Sequence, residues 1–576
     1  MGLLDLHNGD ILLKSGVWRP RAAFPCFPPG GIAVFNSAPV YAAVFMCALI
    51  SALGGRADAA AVTGTVVNAE TKKPVACRMY IRDRQGKWYF AESASPEGSA
   101  VHYSKQNWLN EESVEMHTSL SAHPFTVDLP PGEYEFTVER GKEYFTVTRS
   151  VKVGEEPVEL RFELKRWIDM AERGWYSGET HVHRTLEELP PVQLAEDLNV
   201  SFPLLYWVHK AYKSPTAGQR STRETVKPHV IDIDETHVIY PLNTEYEIGT
   251  VDGKRHMLGA FFVLNHESVF EKGVPPVRPI AEIAERGGGL LELDKHNWPW
   301  SMMLVPVMGI DLFELANNHM WRTEFAFKGF GEKPPEYMDV EKDEGGYTER
   351  GWIEYGFQNY YALLNCGFRL RPTAGTASGV HPVPLGFGRV YVKLTDGFSY
   401  DAWVEGLDAG RSFVTTGPML FAEVNDRLPG HVFRHSKGAS GEYAISGHVI
   451  SSHPVQPIEI VVNGREVRRI RPTNARTDSG AYRSRIDAEV DVETSSWVVV
   501  RCFEERPGGR VRFAHTAPWH IEVSGRPLRP RAEEIDFLID CMEKQIERNT
   551  GVLSEGAVGE YRRALEAYRA IAASVK

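Results

Sequence analysis

Hydrophobic and polar positions change rhythm several times along this chain. From Val62, the segment VTGTVVNAETKKPVACRMYI reads as strand, turn and strand, and Tyr134, Phe136 and Val138 alternate at period two before an Arg140-Gly141-Lys142 turn. With the alternating run from Val158 to Phe162, residues 60–166 predict a β-sandwich, and Trp167 to Arg173 reads as a short linker. Between 174 and 418 the runs become short and wholly apolar, as in PLLYWV and GLLELD, separated by helical or looped segments. That is the α/β alternation of parallel-strand folds. Residues 419–526 return to strands in GEYAISGHVI, in IEIVVNGREVRRI with its Asn463-Gly464 turn, and in SSWVVVRCF, which predicts a second β-sandwich. Over 527–576, Ile535, Leu538, Ile539, Met542 and Ile546, then Tyr561, Leu565 and Tyr568, recur at helical spacing and predict a hairpin of two amphipathic helices.

The first sixty residues differ from all of this. Ala22 to Gly55 carries no charge, Arg19 and Arg21 precede it, and Ala57-Asp58-Ala59 offers a small-residue cleavage site. The apolar part, Ala38 to Leu53, is shorter than the ~20 residues of a membrane span. A signal peptide over 1–59, a mature chain starting near Ala60, and a secreted or periplasmic protein without a membrane span are the expectations; an uncleaved anchor is the alternative. A formal charge of -12 without a basic stripe argues against nucleic acid as a partner. Outside the leader, Cys77, Cys366, Cys502 and Cys541 show no C-x-x-C spacing, so twenty histidines and the carboxylates are left as the metal-binding repertoire.

His181 and His183, in GWYSGETHVHR, stand two apart after a short strand, a spacing that projects both imidazoles from one face toward one ion. The same spacing also suits two half-buried histidines satisfied by backbone carbonyls. GWYSGETHVHR resembles the opening G-D-L-H-x-H of the CehA/McbA family of metallohydrolases, relatives of the polymerase and histidinol phosphatase (PHP) domains, and the resemblance runs from about Gly174 to Val424. It places His209 of LLYWVHK at a family histidine, Glu245 of NTEYEIG at a bridging carboxylate with Glu247 as the competing choice, and His296 of LLELDKHNWPW at a strand-end histidine. It continues through Asn317, Asn318 and His319 of DLFELANNHMW to TAGTASGVHP, which matches a closing G-S-D-x-H. Two departures stand out. Glu179 replaces the first-motif Asp, and Ala377 occupies the place of a metal-binding Asp, so His319 or Glu179 is left to supply the lost ligand.

What the resemblance implies is a PHP-like distorted (β/α) barrel between the two sandwiches, with metal ligands His181, His183, His209, Glu245, His296 and His319. The cofactor would be a divalent metal, zinc first and manganese or iron as alternatives. The implied activity is hydrolysis of an ester-like bond (ester, carbamate, amide or phosphoester) in a small-molecule or carbohydrate-linked substrate. Lys295 is the candidate oxyanion stabiliser, Asn318 the substrate-orienting group and Glu247 the proton shuttle. His256 and His381 read as structural or supporting, His515 and His520 as ordinary, and Trp298 and Trp300 as either core or substrate-facing. A different class stays open, since Ala377 would also suit a degenerate metal domain that acts as a non-catalytic surface or carbohydrate-binding module.

Overall fold

The computed structural model describes residues 59–217, 226–329, 331–436 and 441–575, so the signal-peptide reading lies outside the described residues. No helix among the described residues is long and apolar enough to cross a membrane. The chain is mixed α/β with several sheets. At its N-terminal side a four-stranded sheet, in which Ala60–Asn68 pairs in parallel with Val158–Leu164, packs on a six-stranded antiparallel sheet. Alternation buries Val62, Phe125, Phe136, Val138 and Phe162 between them.

The next strands are β1 (Trp175–Val182), β2 (Val200–Pro203), β3 (Tyr206–Lys210), β4 (Thr244–Val251), β5 (Lys254–Leu264), β6 (Leu290–Leu293), β7 (Leu312–Ala316) and β8 (Arg371–Ala374). Among the described residues they fall in two sheets rather than one closed ladder. Strands β3 to β8 form consecutive neighbours of a seven-stranded sheet, and β1 and β2 belong to a 12-stranded sheet that runs on through Arg389–Lys393 and Ser412–Thr415 to Arg510–Thr516. One apolar core lies under both. Neighbours β6, β7 and β8 run parallel, and the buried, nearly all-apolar sequences of β6 and β7 suit strands covered on both faces. Strands β4 and β5 instead form a hairpin whose Asp252-Gly253 turn has φ of 49° and 76°, the two left-handed residues that a tight hairpin with native twist requires.

Trp167, Ile168 and Met170 do not form a free linker. They are buried in the apolar core between the C-terminal part of the 12-stranded sheet and a four-stranded sheet that includes Met419–Val424 and Gly441–Ser451. Cys77, Cys366, Cys502 and Cys541 are free thiols. Helix α1 (Glu349–Asn365) starts at Thr348, whose hydroxyl accepts from Gly351 N at 3.0 Å. Two helices, α2 (Ala532–Asn549) and α3 (Glu555–Val575), pair with each other and dock against β5 and the segments around Val277 and Met302. There the Glu560 carboxylate accepts from the backbone N–H groups of Val277 and Arg278 at the start of the Arg278–Arg286 helix, and the Tyr568 hydroxyl donates to Met302 O.

Candidate metal centre

Strand β1 pairs with β2 in parallel until a register shift between Glu179 and Val182 breaks the ladder, just where the histidines begin. His181 is buried, with its Nδ1 2.9 Å from Glu314 Oε2 on β7; with an ionised Glu314 accepting from Nδ1–H, the Nε2 lone pair is free for a metal. That Nε2 lies 3.2 Å from His183 Nε2, and His183 Nε2 lies 3.2 Å from Glu245 Oε2 on β4. Ligand atoms 2.0–2.1 Å from a tetrahedral zinc ion are separated by about 3.3 Å. Two of the three edges thus have the spacing of such a shell, and the ligand atoms of the three residues lie within 4.8 Å of one another.

Their chemistry fits an ion as well as their spacing does. Glu245 Oε2 is buried and accepts no hydrogen bond. Burial, helped by the Lys295 ammonium and neighbouring imidazoles, holds His181 well below the usual imidazole range, so it presents the neutral ring that ligation needs. A second group of ligand atoms surrounds the other side of the same ring, with Asp294 Oδ1 3.7 Å from His181 Nδ1 beside Glu314. Burial pushes Asp294 up to about 6 despite its ion pair with Lys295, and burial with the Asp294 charge raises Glu314 well above the carboxylate range. Glu292, in contact with the Thr180 and Thr373 hydroxyls at 2.8 and 2.6 Å, is pushed up to about 8 by burial. Carboxyl groups are crowded here, and the ammonium paired with them is that of Lys295.

Glu245 and Glu247 project from the same face of β4, and their neighbours differ. Glu245 faces His183, whereas Glu247 lies beside His209, with Oε2 3.7 Å from Nδ1. His209 therefore joins the neighbourhood through Glu247, not through the His181–His183 pair, and the two are the more exposed members at 32% and 24% of their side chains. The carboxylate of Glu247 raises the His209 imidazole against burial.

His296 and His319 lie outside both ligand groups. The chain beyond β6 turns the His296 ring into an aromatic box with Trp352 and Tyr355, each with its centroid 5.3 Å away, and the Asn317 amide reaches its Nδ1 at 3.2 Å. His319 stacks on Phe327, centroids 3.9 Å apart. Nor does Glu179 replace a missing ligand. Its carboxylate is taken up by Thr376 N at 2.7 Å, the Thr376 hydroxyl and Gly386 N at 2.5 Å, which clamps the segment after β8 onto β1. Ala377, at φ 51°, donates its N–H to His181 O and offers no ligand atom. Lys295 is held by Asp294. Asn318 acts through its backbone, whose N–H donates to Glu314 Oε1 at 2.9 Å. His256 bonds Asn549, His515 bonds Tyr361, and Trp298 and Trp300 are buried.

Asp294 and Glu314 escaped the sequence reading. For Glu314 the signal was a carboxylate at the centre of an otherwise apolar strand, in LFEL, a placement that Glu292 repeats in LLEL and that is too unfavourable to persist without a partner; Asp294, just past LLEL, carries no such mark.

No protein-family model matches the chain, and no curated protein matches it. Among solved structures, a two-domain protein from Bacteroides vulgatus that contains a predicted PHP-like metal-dependent phosphoesterase is similar over 57% of this chain and 91% of that one, at 10% identity and a TM-score of 0.24. With so low a score, the likeness carries no weight for the site.

Proposed function

We propose that this chain is a metal-dependent hydrolase of an ester-like bond, with one divalent ion, zinc by preference, held by His181 Nε2, His183 Nε2 and Glu245 Oε2. The observation that carries this reading is that His183 Nε2 lies 3.2 Å from both His181 Nε2 and Glu245 Oε2, the latter an otherwise unbonded buried carboxylate oxygen. A bound ion of this kind acts as a Lewis acid and acidifies water toward ~7.

The residues around it divide the remaining work. Glu314 keeps the His181 proton on Nδ1 and so aims Nε2 at the ion, and Asn318 N steadies Glu314 in turn. Glu247 and His209, side by side and open to solvent, are placed to take a proton from the attacking water at Glu247 and return one to the leaving group at His209. Lys295 supplies the positive charge nearest the crowded carboxylates, and Phe262, 4.5 Å from the His181 ring, keeps the inner side of the centre dry.

The test is His181→Ala beside the unaltered chain. Elemental analysis should find stoichiometric transition metal only in the unaltered protein, and only that protein should turn over a panel of chromogenic esters, carbamates and phosphoesters. Retention of both metal and turnover by the variant would remove the basis of the reading.

A further inference from the structure

Trp108 and Leu109 are large apolar side chains left 44% and 45% exposed, and they stand side by side on the loop between the N-terminal strands Ala100–Gln106 and Val114–Leu120. The loop is not a fraying end. Leu109 N donates to Asn107 Oδ1 at 2.7 Å, Glu112 N to Asn110 Oδ1 at 3.0 Å, and Ser113 N to Asn110 O at 3.0 Å. The Asn110 amide then crosses to Glu324 at 2.7 Å, which ties the loop to the segment after β7.

That anchoring holds the indole against His381, Trp321 and Phe327. Its ring lies 4.8 Å from His381 and 6.0 Å from both Trp321 and Phe327, at steep angles to all three, and Phe327 in turn stacks on His319. His381 closes the segment that packs on the ligands, where His183 N donates to Ser378 O at 2.8 Å and Ala377 N to His181 O. The same N-terminal sheet grips this segment a second time, since the Tyr103 hydroxyl donates to His381 O and accepts from Gly379 N at 2.9 Å. His183 is 15% exposed while His181 is sealed, so solvent reaches the pair at His183, whose N–H is bonded by this same segment.

We propose that Trp108 is a specificity-determining wall contributed by the N-terminal sandwich, a rigid apolar face on which the substrate lays a flat ring while its ester-like bond reaches the ion. This deepens the hydrolase reading and rests on it. The shared chemistry is the flat apolar face of an aromatic ring or a pyranose. Indole stacks on either, and a ring pinned by three neighbours loses little freedom when it does so.

The experiment compares the zinc-loaded unaltered chain with Trp108→Ala and Trp108→Phe on three substrates that share one reacting bond and differ in a methyl, 2-naphthyl or glucopyranosyl group. In the Ala variant, the preference for a ring-bearing substrate over the methyl compound should fall about tenfold through KM rather than kcat, and Phe should restore most of it. The ring that loses preference identifies the source. Equal losses on all three substrates, or an unchanged preference, would overturn the wall. If the unaltered chain cleaves none of them, the hydrolase reading fails on its own account, and calorimetric binding of 2-naphthylphosphonate still decides: about tenfold weaker binding to the Ala variant supports the wall, and equal affinity refutes it.

Discussion

Two buried polar clusters in this chain are built from the same residue types and behave in opposite ways. Where the N-terminal sandwich meets the next strands, Arg78 pairs with Glu139 and Glu196, and Arg322 pairs with Glu115, which also takes the Tyr80 hydroxyl and His117 at 2.8 Å. Against burial, Arg322 and its neighbours pull Glu115 down to about 2, and Glu139 also lies below its ordinary range. At the metal centre, equally buried carboxylates go the other way, with Asp294 up to about 6 and Glu314 higher still. The difference is cation supply. Two guanidiniums face the first cluster, while one ammonium faces the second, and there Glu245 Oε2 is left without a donor. A surplus of buried acceptors thus singles out a candidate ion site, and a balanced network marks architecture.

The comparison can be broken most severely from the balanced side. Arg78→Ala strands two buried carboxylates and should destabilise the protein by about 3–5 kcal/mol, read as a lowered urea midpoint. A loss below 1 kcal/mol would show that this cluster, too, carries slack. Glu314→Gln probes the unbalanced side, where the expected outcome is a fold at least as stable without metal and a metal affinity reduced about 10- to 100-fold, measured by competition with a chromogenic chelator. Unchanged affinity would mean that Glu314 does not orient His181. The smallest effect is expected from Ala377→Asp. Position 377 has left-handed backbone, which Asp tolerates better than Ala, so the variant should fold normally and shift metal stoichiometry or preference. A variant that folds with unaltered metal content and preference would place position 377 out of reach of the ion.

Which features were legible in the sequence follows from how local their causes are. The C-terminal helix pair rests on spacing within a few turns, and the proximity of His181 and His183 rests on two adjacent side chains at a strand end. Glu245 and Glu247 share a face, so only their depth along β4 separates them, and depth is a tertiary property. His296 and His319 follow strands as ligands do, yet the turn that aims each ring is set by Trp352, Tyr355 and Phe327, which are distant or unmarked in the sequence. Trp167, Ile168 and Met170 were read as linker from their position, although their composition already spoke for a core.

The 12-stranded sheet has a consequence for the order of events during synthesis. Trp175 of β1 pairs with Lys393, the strand holding Lys393 pairs with Ser412–Thr415, and that strand pairs with Arg510–Thr516. The strand that carries the first histidine therefore cannot complete its edge until most of the polypeptide has left the ribosome, and such distant pairing forms late. On the proposed reading, the cradle around His181 would close only once the strand Arg389–Lys393 has joined β1, so an ion would meet a largely folded chain instead of guiding a nascent one.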